Sequence, residues 1–115
     1  MVAPDGQRSA MSHRITLRET IEFFPVDFPV EGVHAYASTG TPADCVRFGI
    51  LNIVKEKPDY VFSGINYGYN SGTDIQYSAT VGSALEAACA GVHAIAFSEG
   101  ASECHEVQTL TLSRC

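Results

Sequence analysis

The sequence predicts an α/β fold built on parallel strand–helix–strand crossovers. Three observations predict it. Two segments, 41–58 and 78–91, place apolar residues at a helical period. Short apolar runs at 33–39, 59–64 and 93–98 alternate with them, bounded by Gly, Pro, Ser and Thr. Strand, helix, strand, helix, strand at these lengths describes a sheet crossed by helices.

Taken in order, residues 1–4 read as a short strand running into a loop. "MVAPDGQRSAMSH" supplies Pro, Asp, Gly and two Ser, a loop composition. "RITLRET" alternates Ile15 and Leu17 with polar neighbours, which predicts a half-buried strand. "FFPVDFPVEG" has two prolines and predicts an edge strand or a turn. "VHAYAST" predicts another strand. Thr41, Pro42 and Asp44 then form a helix start: a capping hydroxyl, a proline at the first helical position and an acid in the first turn. Val46, Gly49, Ile50, Ile53 and Val54 follow the spacing of one buried face, and Lys55, Lys57 and Pro58 end it.

"DYVFSG" at 59–64 is a strand. Ser78 is the cap of the next helix, whose expected stripe is Val81, Ala84, Leu85, Ala88 and Cys89, with Gly91 as its C-terminal glycine. "HAIAFS" is the last strand. The ending "ASECHEVQTLTLSRC" shows no helical stripe; "TLTLS" fits a strand or a fraying end.

The 115 residues suit one domain, and a net charge of −6 excludes the basic stripe of a duplex nucleic-acid binder. An anion site here must rely on local donors or a metal, because the overall field repels phosphate. No apolar run reaches membrane-spanning length and no signal-peptide pattern opens the chain, so the expectation is a cytoplasmic protein without a membrane partner. Cys45, Cys89, Cys104 and Cys115 show no C-x-x-C spacing, and Cys45 and Cys89 read as buried, reduced thiols.

The candidate site is "SGINYGYNSGTDIQYSATVGSA", 63–84. It leaves a parallel strand at its carboxyl end, where open α/β sheets bind ligands. Gly64, Gly68 and Gly72 permit close approach, and the helix that starts near Ser78 aims its N–H groups at the same mouth. Glycines alone mark only a tight connection, and the stretch is neither a Walker A loop nor G-x-G-x-x-G. Asn66, Asn70, Asp74 and the Ser-x-Thr helix start add the polar groups of an anion site. Ser9 is a second candidate, in the loop after the first strand; a loop serine is also an ordinary cap or solvent contact. His13 reads as a mobile-loop histidine. "ECHE" at 103–106 holds potential metal ligands at a spacing that suits an exposed acidic tail.

These stretches carry a resemblance. "VAPDGQRSA", "TGTPADCV", "KPDYVFSGIN", "GYNSGTDIQYSATVGSALE" and "GVHAIAFSEG", in this order and across residues 2–100, are similar to the SurE family of survival-protein nucleotidases. The resemblance implies a Rossmann-like three-layer sandwich with a mostly parallel sheet. It implies a metal-dependent nucleoside 5′-monophosphate phosphohydrolase, often active on 3′-monophosphates, that uses Mg²⁺ or Mn²⁺ and assembles as a homo-oligomer. Ser9 and Asn66 match the family's metal ligands. Asn70, Ser78 and Thr80, with Ala79 between the last two, match its phosphate pocket. Asn66, Asn70, Ser78 and Thr80 are thus the expected catalytic set.

Three departures qualify the expectation. The "NDDG" segment with two aspartate ligands is missing, Ala79 stands where the family has glycine, and the ending diverges. The sequence therefore reads as a fold incomplete at both ends, with a core at 1–100 and a divergent tail at 101–115. Asp5 and Asp74 are the nearest substitute carboxylates, and they read as a turn former and a loop organiser. The expectation is impaired turnover, partial disorder or self-association. The alternative is a catalytically inactive remnant that binds nucleotide or serves as an interaction module.

Overall fold

The computed structural model describes residues 1–100. The tail 101–115, with its "ECHE" and "TLTLS" segments, lies outside the described residues. Among those described, the elements are β1 (Val2–Pro4), β2 (Phe23–Val26), β3 (Ala35–Ser38), α1 (Pro42–Phe48), β4 (Tyr60–Tyr67), α2 (Asp74–Tyr77), α3 (Ala79–Cys89) and β5 (His93–Glu99). The chain adopts the expected α/β class.

The strands form two short ladders. β1 runs parallel to β3, with Val2 opposite Tyr36 and Pro4 opposite Ser38. β2 lies antiparallel on the other side of β3, with Phe23 opposite Ser38. The segment 27–34 between β2 and β3 is too short for a crossover, so that pair is a hairpin. Pro25 is tolerated because β2 is an edge strand. β4 and β5 form a separate parallel pair, from Tyr60 opposite His93 to Tyr67 opposite Glu99.

"RITLRET" is not a strand. Its Thr16 is committed elsewhere: the Thr16 N–H and hydroxyl both donate to the Asp44 carboxylate. Leu17 is 83% exposed, so the alternation does not reflect a buried face.

The start of α1 is as the sequence predicts. The Thr41 hydroxyl accepts from Asp44 N–H at 3.1 Å, and the Asp44 carboxylate accepts from Thr41 N–H at 2.9 Å, a reciprocal capping box. The helix is shorter than its apolar period suggests. It passes at Gly49 into one wide π turn, Gly49–Ile53, and Val54 is exposed beyond it. Cys45 is buried, and burial pushes its thiol up to about 12. Cys89 is exposed, contrary to expectation.

The face of α3 also differs. Its buried residues are Gly82, Ser83, Glu86 and Ala87, whereas Leu85 is 51% exposed. The interface selects small size rather than hydrophobicity, because α3 packs closely on α1 and on the loop after β1. An added Cβ at Gly82 would overlap the Ser12 carbonyl and come within 2.9 Å of His13 Cα. Gly82→Ala is therefore expected to lower the unfolding free energy by about 2 kcal/mol through overpacking. Helix propensity alone predicts a gain of up to about 1 kcal/mol. Urea denaturation distinguishes the two by sign.

The core is correspondingly small-grained: Ala35, Ala37, Ala43, Cys45, Ala87 and Val92. α3 covers one face of the β4–β5 pair, where Ser63 is buried. Tyr60, Phe62, Ile95 and Phe97 are exposed, with the Phe62 and Phe97 rings 5.8 Å apart.

Candidate functional site

The site is built where β4 hands over to α3. β4 and β5 slip register between Ser63 and Asn66. Gly64, at φ 136°, lies so close to β5 that a Cβ would stand 2.6 Å from the Phe97 carbonyl oxygen. Only glycine meets both demands. Beyond this bulge Asn66 turns toward α3. Its Oδ1 accepts from the Thr80 hydroxyl at 3.4 Å, and its Nδ2 donates to the Gly68 carbonyl at 2.9 Å. Ser63 ties the same strand to the helix by donating its hydroxyl to the Thr80 carbonyl at 2.8 Å.

Ser78 caps α3 as its sequence position predicts. Its Oγ accepts from Val81 N–H at 3.3 Å, so its own proton is available to another acceptor. The first helical backbone bond runs from Gly82 N–H to the Ser78 carbonyl. The amides of Ala79 and Thr80 lie ahead of it, in the first turn, where helix geometry supplies no intrahelical partner. The methyl of Ala79 does not remove that N–H.

The structure thus brings Asn66, Ser78, Ala79 and Thr80 to one rim. Asn70 is tied beside Asn66: its Nδ2 donates to Ser98 Oγ at 2.6 Å, and Ser98 is the register partner of Asn66 on β5. Ser9 is exposed, and among the described residues no hydrogen bond joins it to Asn66. Its loop nevertheless reaches the approach to α3. Ser12 donates through its N–H to the Tyr77 carbonyl at 3.0 Å and through its hydroxyl to the Gln76 carbonyl at 2.7 Å. Gln76 and Tyr77 immediately precede Ser78, and Ser9 is three residues from Ser12, within about 11 Å of chain.

Sequence reasoning missed the group behind this rim. His13 is not a mobile-loop histidine: its Nε2 lies 2.6 Å from Glu86 Oε2. Arg47 Nη1 donates to Glu86 Oε1 at 3.2 Å. One signal was present, an acid on the helix face that also carries Gly82, Ser83 and Ala87.

A divalent cation such as Mg²⁺ takes hard oxygen ligands, carboxylates among them. Ser9 and Asn66 offer neutral oxygens. Among the described residues, no three His, Cys, Asp or Glu side chains cluster as a metal site. The Asp5 carboxylate pairs with the Arg8 guanidinium at 3.0 Å. Mg²⁺ is normally held through carboxylates, so this donor set does not by itself fit Mg²⁺.

The parallel strand–helix–strand crossover places the chain among α/β proteins. The family model described as survival protein SurE matches residues 1–114, and the chain belongs to that family. It is 51% identical over 98 residues to a 5′-nucleotidase SurE of Thermoanaerobacter sp. (strain X514), a match that covers 85% of this chain and 38% of the relative. It is 52% identical over 98 residues to a 5′-nucleotidase SurE of Thermosipho melanesiensis, with the same coverage. The crystal structure of the SurE protein from Aquifex aeolicus superposes with a TM-score of 0.76 at 41% identity, covering 90% of this chain and 40% of that one. The chain therefore spans about two fifths of the length of the relatives it matches. Among the described residues, no helix is long and apolar enough to cross a membrane.

Proposed function

We propose that the rim at the start of α3 grips the phosphate of a nucleoside monophosphate, as part of a phosphomonoester hydrolase. The observation that carries this reading is the arrangement at Thr80. Its hydroxyl, the Ser78 hydroxyl and the first-turn amides share one helix end beside the β4 bulge. Four uncharged donors and the positive helix pole suit a dianion. The Thr80–Asn66 bond is long at 3.4 Å, so Thr80 gives little up when it turns its proton to a phosphate oxygen. These donors would stabilise the equatorial oxygens as charge builds on them. Asn66 contributes differently: its Oδ1 is an acceptor, which suits a cation and not the phosphate.

Family membership leads us to expect dependence on a divalent metal, Mg²⁺ or Mn²⁺, and a homo-oligomer. The open aromatic face of β4–β5 supports self-association. The neutral donor set favours a second outcome for this chain, monophosphate binding with little turnover. Titration of the chain with a nucleoside 5′-monophosphate, followed by an assay of phosphate release with Mn²⁺, tests both. Saturable binding is expected, with release far slower than that of the Thermoanaerobacter relative. Absence of binding overturns the phosphate reading; release equal to the relative's overturns the donor-set argument.

A further inference from the structure

The loop 6–14 leaves β1 and bears Ser9. Two of its residues, Ala10 at φ 55° and Ser12 at φ 53°, hold left-handed backbone without being glycine. Side chains disfavour that conformation unless surrounding contacts impose it. Ser12 supplies one tie, through the Gln76 and Tyr77 carbonyls. His13 supplies the other, across 73 positions of sequence, to Glu86.

Glu86 is an unusual anchor. Its side chain is only 10% exposed, in the middle of α3. A carboxylate so placed requires partners on its oxygens. One oxygen meets His13 from the loop and the other meets Arg47 from α1. Gly82, one helical turn earlier, removes the side chain that would hold the loop away. Arg47 is 49% exposed, so its share is screened by solvent. The short His13 bond is the stronger link.

We propose that Glu86 and His13 are positioning residues for the phosphate rim. Glu86 holds the loop 6–14 against the first turns of α3 through His13, and so fixes the backbone just ahead of Ser78, which Ser12 grips at the Gln76 and Tyr77 carbonyls. The functional half of this inference rests on the phosphate reading above; the clamp itself does not.

The test uses the full chain as wild type, His13→Ala and His13→Gln, with amide exchange read by NMR. Glutamine can still donate a hydrogen bond to Glu86. In His13→Ala the Ser12 amide is expected to exchange about 10-fold faster, while the Gly82 and Cys45 helix amides keep their protection. His13→Gln should return Ser12 to within about twofold of wild type. Inorganic phosphate should shift the Ala79 and Thr80 amide signals in wild type, bind about 10-fold more weakly to His13→Ala, and recover in His13→Gln. The clamp is overturned if Ser12 exchange is unchanged in His13→Ala, or if all three amides accelerate together without rescue by glutamine. The positioning role is overturned if a loosened loop leaves phosphate affinity as in wild type. If wild type itself shows no phosphate shift, the phosphate reading and the positioning role fall together, and the exchange data alone decide the clamp.

Discussion

Asp44→Ala is expected to lower the unfolding free energy by about 3 kcal/mol. Asp44 is fully buried, at 0% exposure. Its carboxylate accepts from Thr16 N–H at 3.0 Å, Thr16 Oγ1 at 2.6 Å and Thr41 N–H at 2.9 Å. Thr41 completes the unit by donating its hydroxyl to the Arg14 carbonyl at 2.6 Å. One side chain thus closes the cap of α1 and fastens the segment 14–16 to it. Truncation strands two amides and a hydroxyl and leaves a cavity. Thr41→Ala, which loses the cap and the hydroxyl's bond to the Arg14 carbonyl but leaves the Asp44 carboxylate its donors, is expected to cost about 1–2 kcal/mol. Domains of this size have about 5–15 kcal/mol in hand, so the larger loss places the variant close to its unfolding threshold. Urea titration of the two variants gives the ranking.

The same carboxylate fixes a pH dependence. Burial acts to raise the Asp44 pKa, but the hydrogen bonds from Thr16 and Thr41 outweigh it and hold the group below its ordinary 3.8. A carboxylate whose pKa falls on folding stabilises the fold fully above the unfolded value. That stabilisation is lost as pH drops through the folded value. The urea midpoint of wild type is expected to decline below about pH 4. Asp44→Asn, which has no proton to gain, should decline less steeply over the same window.

What was legible in the sequence was what is local. Thr41, Pro42 and Asp44 specify the start of α1 within four residues, and Ser78 specifies that of α3, because caps act on the backbone next to them. The strands β3, β4 and β5 were legible as apolar runs between helices. "RITLRET" misled because its alternation has no sheet neighbour; its polar member Thr16 belongs to Asp44, 28 positions away. The apolar period of α3 pointed to Leu85 and Cys89, yet the close approach to Ser12 and His13 buries Gly82 and Ser83 instead. At the site, Asn66, Ser78 and Thr80 could be found from composition at a strand-to-helix crossing. The partner of Asn70, Ser98 on β5, could not, nor could the tie from His13 to Glu86. Both exist only once the chain has folded.

Thr80→Val is expected to weaken nucleoside monophosphate binding at least about tenfold, since a hydrogen bond to a charged phosphate is worth about 1.5–3 kcal/mol. Valine keeps the branched shape and removes the donor, so the fold should change little; the hydroxyl's present bond to Asn66 is long. Thr80→Ser should bind nearly as wild type. Asn66→Ala makes the informative contrast. Asn66 presents its Oδ1 to Thr80 and its Nδ2 to the Gly68 carbonyl, so neither group is committed to an anion. Its removal is expected to spare most phosphate binding and to abolish whatever Mn²⁺-dependent release the chain shows. The paired variants, titrated with monophosphate and assayed for release, separate anion donor from cation acceptor on one rim. Equal losses of binding in both would mean that Asn66 only orients Thr80. Undiminished release in Asn66→Ala would remove it from the reaction altogether.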